Sequence, residues 1–153
     1  MYLQTVCDRY IDRFKSMEVF VSAGANIPTR AHTNDAGLDL YSTKSGWILP
    51  KCRKAFGTGF HAAIPVGYVG LLLSKSGLSM NGIQSSCGVI DTDYTGEIKA
   101  ILYNHSWLPK RIKKGQKITQ MLIMPIIRPE LVVVEGLSAT DRGDNGFGST
   151  GKF

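Results

Sequence analysis

From Glu18 to Glu135 the apolar residues come in short runs broken by Gly, Pro, Asn and Asp. The runs Glu18–Val21, Gly37–Ser42, Phe60–Ile64, Tyr68–Ser74, Gly88–Asp91, Glu97–Tyr103, Lys117–Met124 and Leu131–Glu135 are dominated by Val, Ile, Leu and Tyr, so each predicts a strand. No interior stretch sustains helical periodicity, and a β-sandwich or barrel follows. The N-terminus differs. Leu3, Val6, Cys7, Tyr10, Ile11, Phe14 and Met17 recur at helical spacing opposite Asp8, Arg9, Asp12 and Arg13, which predicts an amphipathic helix too short to stand alone. After Gly136 the chain becomes glycine-spaced and cannot build a core. The organisation expected is an extension over 1–17, a β-domain over 18–136 and a C-terminal arm over 137–153.

A chain of 153 residues with 43% hydrophobic content is one ordinary domain, large enough to bury a core. Its longest apolar run, Met121–Ile127, is interrupted by Pro125 and too short for a bilayer, and the N-terminus lacks a signal-peptide core. The expectation is a soluble intracellular protein, cytoplasmic or nuclear, with no membrane partner. Cys7, Cys52 and Cys87 are odd in number and lack metal-ligand spacing, which argues against a disulfide framework and a zinc site. A formal charge of +6 favours polyanionic partners, but a nucleotide and a nucleic acid would both exploit it. The densest basic run, Lys110-Arg111-Ile112-Lys113-Lys114, reads as a solvated turn or a nuclear-import signal.

Five segments carry candidate chemistry. In Ala36-Gly37-Leu38-Asp39-Leu40 strand alternation points Asp39 away from Leu38 and Leu40, toward a cleft or solvent. Ser74-Lys75-Ser76-Gly77-Leu78 ends an apolar run with a cation, hydroxyls and a glycine, suited to an anion-binding concavity or to a plain turn. Gly88-Val89-Ile90-Asp91-Thr92-Asp93-Tyr94-Thr95-Gly96-Glu97 predicts a hairpin with an exposed tip, where Asp91 can act as a general base on water and Tyr94 as the wall of a sugar pocket. The bland reading is an acidic turn. In Gly115–Leu122, Gln120 interrupts an apolar series and needs a hydrogen-bond partner or exposure. In the arm, Arg142 offers a donor fork, Ser149 and Thr150 hydroxyls, and Phe147 a stacking face, while Gly143, Gly146, Gly148 and Gly151 allow close backbone approach; this suits a clamp over a nucleotide better than a plain linker.

Read in order, these segments resemble the five motifs of the trimeric dUTPase family across Ala36–Gly151. Gly-Val-Ile-Asp-x-Asp-Tyr-x-Gly-Glu followed by Arg-Gly-x-x-Gly-Phe-Gly-Ser-Thr-Gly is specific to that family. The resemblance implies an all-β distorted barrel or jelly roll, a homotrimer whose active sites draw on all three chains, and Mg²⁺-dependent hydrolysis of dUTP to dUMP and pyrophosphate, with no stable nucleic-acid partner. It assigns Asp91 to the attacking water, Tyr94 to the deoxyribose, and Asp39, also counted as catalytic, to the acidic position of the first motif. Lys75, Ser76, Gly77, Gly88 and Gln120 fall among the substrate-binding positions, as do Arg142, Phe147, Gly148, Ser149 and Thr150. The resemblance further implies a magnesium held mostly by triphosphate oxygens and water, so that no direct protein ligand is expected.

The chain departs from the usual family pattern at Lys75 (often Arg), Gln116 (usually Asp) and Asn145 (commonly Gly), and its 80–87 loop is short. Lys75, that loop and the Arg-Gly-Asp-Asn-Gly form of the arm resemble virus-encoded members, especially the retroviral type. Two rivals share the fold: a catalytically silent binding or signalling module, and a dCTP deaminase. The tyrosine motif and the complete arm favour the hydrolase.

Overall fold

Alternating side chains from ten strands form two sheets and a ribbon around a double core. The computed structural model describes residues 16–86 and 88–144. Strands β1 (Val19–Val21), β4 (Arg53–Ala62), β8 (Ile98–Asn104) and β6 (Ile83–Ser85) form one sheet in the order β1-β4-β8-β6. Strands β2 (Leu38–Tyr41), β10 (Lys117–Pro125), β5 (Tyr68–Leu73) and β7 (Gly88–Ile90) form the second, in the order β2-β10-β5-β7, and β3 (Gly46–Ile48) pairs with β9 (Lys110–Ile112) as a separate ribbon. All pairings are antiparallel.

Leu40, Phe60, Leu72, Ile90, Ile98 and Met121 bury together in one apolar cluster, and Ile48, Phe56, Ile83, Leu102, Ile112 and Ile118 in another. Burying each such side chain contributes about 1.5–3 kcal/mol. Met17 packs against the first cluster, so the folded domain begins before Glu18. The rest of the predicted N-terminal helix lies outside the described residues.

Four expectations need correction. Leu131–Glu135, composed like a strand, pairs with no strand among the described residues, and Leu131, Val132, Val133 and Val134 stand 88, 77, 97 and 56% exposed. The chain has left its sheet at Pro125, and no described strand takes those residues up at its edge. The basic run is not all turn: Lys110–Ile112 is β9, anchored by fully buried Ile112, and only Lys113–Gln116 turns. Gly88–Glu97 is not a hairpin either, because β7 pairs with β5 while β8 pairs with β4 and β6. Residues 91–97 therefore cross from one sheet to the other, a path that Asp and Gly accept as readily as a tight reversal. Lastly β4 starts well before Phe60; its glycines and basic start hide it, and its register slips between Gly57 and Phe60.

The three-residue strands β3, β6 and β9 and the single-turn helix α1 (Ser76–Met80) are too short for periodicity to reveal. Among the described residues no helix is long and apolar enough to cross a membrane, and Cys52 is an exposed free thiol.

Candidate active site

Asp39 and Gln120 are cross-strand partners on β2 and β10, and Gln120 also faces Leu73 at the end of β5. Lys75, two residues on, reaches back to Asp39 Oδ1, while Lys117 Nζ lies 2.8 Å from Asp39 Oδ2. Both carboxylate oxygens are thus engaged by ammonium groups, and the residue is only 6% exposed. Burial alone would raise the Asp39 pKa, but hydrogen bonds from Lys117 and Lys75 and their charges outweigh it, holding the carboxyl below its ordinary value. Asp39 in turn raises the Lys117 pKa.

Gln120 meets its polar requirement by donating from Nε2 to the Ser74 carbonyl at 3.1 Å. Gly37 makes room for it, since a Cβ there would stand 2.5 Å from Gln120 Oε1. The result is a hollow lined by Gly37, Asp39, Lys75 and Gln120, with His32 and Asp35 at its side, in which the Lys75 ammonium and the Gln120 amide are donors suited to phosphate oxygens. Ser76 and Gly77 open α1 beside it, and a Cβ at Gly77 would meet nothing within 4 Å, leaving the backbone open to a ligand.

The crossing segment builds a second hollow, lined by Ala55, Val89, Asp91, Tyr94, Lys99 and Ile101. Its shape is locked: Tyr94 donates its hydroxyl to the Glu97 carbonyl at 2.9 Å, Arg128 donates to Thr92 Oγ1 at 2.9 Å, and Glu97 Oε1 accepts from the Gly59 N–H at 2.9 Å. Gly96 is obligatory in this arrangement, because a Cβ there would come within 2.7 Å of the Tyr94 ring. Tyr94 remains 44% exposed, and among the described residues the exposed Asp91 carboxylate has no hydrogen-bond partner.

The two hollows share no lining residue. Ile90 pairs with Gly70, so Asp91 lies level with Val69, whereas Lys75 is six residues farther along, roughly 20 Å of strand. Gly88 pairs with Leu72 between these levels. Within one chain the anion cradle and the carboxylate that would activate water are too far apart to touch the same phosphate group. Arg142 and Gly143 lie in an exposed turn in which the Gly143 N–H donates to the Thr140 carbonyl at 3.1 Å. Phe147, Gly148, Ser149 and Thr150, with Asn145, lie outside the described residues.

Against this geometry, the sequence model of the dUTPase family matches residues 23–151, from just after β1 onward. The chain belongs to the dUTPase family. It is 42% identical over 133 residues to the deoxyuridine 5'-triphosphate nucleotidohydrolase of Kluyveromyces lactis, covering 86% of this chain and 90% of that protein. Its fold is similar to that of the Staphylococcus bacteriophage 80alpha dUTPase with dUpNHpp, at a TM-score of 0.84 and 32% identity over 90% of this chain and 99% of that one. It is also similar to a point variant of the phage phi11 dUTPase described with a structural Mg(II) ion, at a TM-score of 0.76 and 28% identity over 82% and 100% of the two chains.

Within this dUTPase fold one site residue escapes sequence reasoning. Regular alternation from Gln120 would turn Lys117 away from Asp39, but the register shifts between Lys117 and Thr119, and that irregularity brings the second ammonium onto the carboxylate. The only signal in the sequence is a lone cation at the start of an apolar strand. Asp39, with an ammonium group on each of its oxygens, holds Lys75 and Lys117 in place.

Proposed function

We propose that this chain hydrolyses dUTP to dUMP and pyrophosphate as a homotrimer, by attack of an Asp91-activated water at the α-phosphorus. The observation that carries this reading is the division of the site: the hollow around Asp39, Lys75 and Gln120, and an exposed carboxylate beside an aromatic ring, in the motif order of the dUTPase family, sit apart in one chain. A neighbouring copy that brings its Asp91 hollow to this chain's cradle unites them. Val89 and Ile101, 62% and 45% exposed around that hollow, and the unpartnered Leu131–Val134 segment are apolar surfaces suited to burial between copies.

In the assembled site Lys75, Ser76, the Gly77 backbone and Gln120 hold phosphate oxygens, and Asp39 keeps Lys75 in place. Asp91 accepts a proton from water as the oxygen attacks phosphorus; the bond to the bridging oxygen breaks and pyrophosphate leaves. Tyr94 packs against the deoxyribose and leaves no room for a 2′-hydroxyl. Arg142, Ser149 and Thr150 take the terminal phosphates while Phe147 covers uracil, with Gly148 allowing the backbone close. Gly88 opens the strand whose preceding loop meets the base.

Among the described residues no three His, Cys, Asp or Glu side chains gather as a metal site, and both Asp39 oxygens already bind ammonium groups. This donor set fits a Mg²⁺ carried by the triphosphate itself, which neutralises phosphate charge and orients the chain of phosphates.

Pyrophosphate release from each nucleoside triphosphate, with light scattering on the same sample, tests the reading. Turnover confined to dUTP and a trimeric mass are expected. Equal turnover of dCTP or dTTP, no turnover, or an active monomer would overturn it.

A further inference from the structure

Away from both hollows, the β3–β9 ribbon presents a surface that dUTP hydrolysis does not use. Trp47 pairs with Arg111 and both are exposed, while Ile48 and Ile112 point into the core. One end of the ribbon carries Lys44 and the turn containing Lys113 and Lys114, tied together by the Lys114 N–H donating to Ser45 Oγ at 2.9 Å. At the other end the 49–52 turn meets the 105–109 loop, and Asn104, fully buried, fastens the two. Its Nδ2 donates to the carbonyls of Ile48, Leu49 and Leu108 at 3.1, 3.2 and 2.8 Å, and its Oδ1 accepts from Ser106.

That anchoring displays Trp107, 80% exposed. Lys51 Nζ stands 4.3 Å from the centre of its ring and donates to the His105 carbonyl. Lys51 has a φ of 55°, a left-handed conformation that a residue with a Cβ adopts only when its surroundings impose it. The bond to the His105 carbonyl holds the ammonium over one face of the ring.

Charge and ring content together define the ligand. The sequence has no Asp or Glu from Leu40 to Ile90 or from Ile98 to Pro129, so β9 and the turns at the ribbon's ends carry cations, and neither strand nor turn carries a carboxylate. The chain has two tryptophans, and both stand on this surface. We propose that the β3–β9 ribbon is a docking surface for single-stranded nucleic acid, with bases stacked on Trp47 and Trp107 and phosphates held by Arg111, Lys51 and the lysines at the ribbon's ends. Alternating flat faces and cations is what such a strand presents a need for at every nucleotide. An acidic peptide would leave the rings unused. A membrane would force the Lys51 charge, which lies over the ring itself, into the apolar layer with it. Net charge along the sequence does not reveal this surface, because pairing of residues 47 and 111 creates it.

Because the chain has no other tryptophan, its tryptophan fluorescence, excited selectively over that of its tyrosines, reports on this surface. Titration of the full chain with oligo(dT) of roughly 16 nucleotides, the upper end of a single-fold site, should quench that fluorescence saturably. Binding should weaken with salt, with a log–log slope of about −0.7 for each phosphate contacted. Trp107→Ala should weaken binding roughly 5- to 150-fold, the value of one stacked base, while Trp107→Phe retains most of it. Arg111→Glu should weaken it further, and saturating dUMP should not compete. Pyrophosphate release from dUTP, measured on the same variants, should match the parent chain and so reports separately on the catalytic reading. Absence of quenching, unchanged binding by Trp107→Ala, or equal or tighter binding of phosphatidylserine vesicles or polyglutamate would overturn the proposal.

Discussion

Asp39 lies on one edge strand of a sheet and Asp91 just past the end of the other, yet they are built for opposite purposes. Asp39 is buried, its oxygens both held by lysines, and it contributes to a cradle that is complete within one chain. Asp91 sits just past the end of its strand, exposed, in a hollow whose backbone is tied down by Tyr94, Glu97 and Arg128 while the carboxylate itself stays open. A carboxylate held by two ammonium groups has its proton affinity lowered and is the poorer acceptor of a proton from water; one left open is not so weakened. The comparison separates a residue that shapes the site from one that reacts in it.

The largest effect should come from the open carboxylate. Asp91→Asn preserves shape but accepts no proton, so turnover should fall about 10²–10⁴-fold while stability changes by less than about 0.5 kcal/mol. Single-turnover kinetics alongside denaturant unfolding measures both; retention of more than about a hundredth of the rate would move the base elsewhere.

Asp39→Asn should show the reverse balance. It breaks charge-assisted bonds in a buried position and leaves Lys75 and Lys117 facing each other, so unfolding free energy should drop by about 1–3 kcal/mol, with the loss of activity appearing mainly as raised KM. A turnover defect as deep as that of Asp91→Asn, without loss of stability, would erase the distinction.

Acidity probes the same pair more gently. Because Asp39 titrates below its ordinary value when folded, the stability it supplies is present above about pH 4 and is lost as pH falls through the lower folded value. Lys117 titrates above its ordinary value, so its share is complete below roughly pH 10.4 and lost as pH rises through the higher folded value. Unfolding measured against pH should show both limbs in the parent chain, and Asp39→Asn should flatten both.

The smallest effects should come from the two glycines that make room for site side chains. Gly37→Ala forces Gln120 off the Ser74 carbonyl, and a lost hydrogen bond worth about 1 kcal/mol predicts a several-fold rise in KM for dUTP. Gly96→Ala displaces the Tyr94 ring and should instead narrow the preference for dUTP over UTP, a lesser version of what Tyr94→Ala does. An unchanged UTP/dUTP specificity ratio in both Gly96→Ala and Tyr94→Ala would place sugar discrimination elsewhere.

The sequence by itself determined the all-β class, most long strands and the order of the catalytic motifs. Those properties rest on local composition: β-branched and aromatic runs favour a pleated surface, and a nucleotide site needs glycines, hydroxyls and charges at set positions. Only the tertiary structure decided which of these residues meet. Lys75 and Asp39 stand 36 positions apart and Trp47 and Arg111 64 apart, and their contacts depend on strand pairing that no local pattern encodes. The irregularity that turns Lys117 onto Asp39, and the crossing of residues 91–97 between sheets, have the same origin. Each is settled by packing and register across the whole domain, where a shift of one residue reverses which face a side chain occupies.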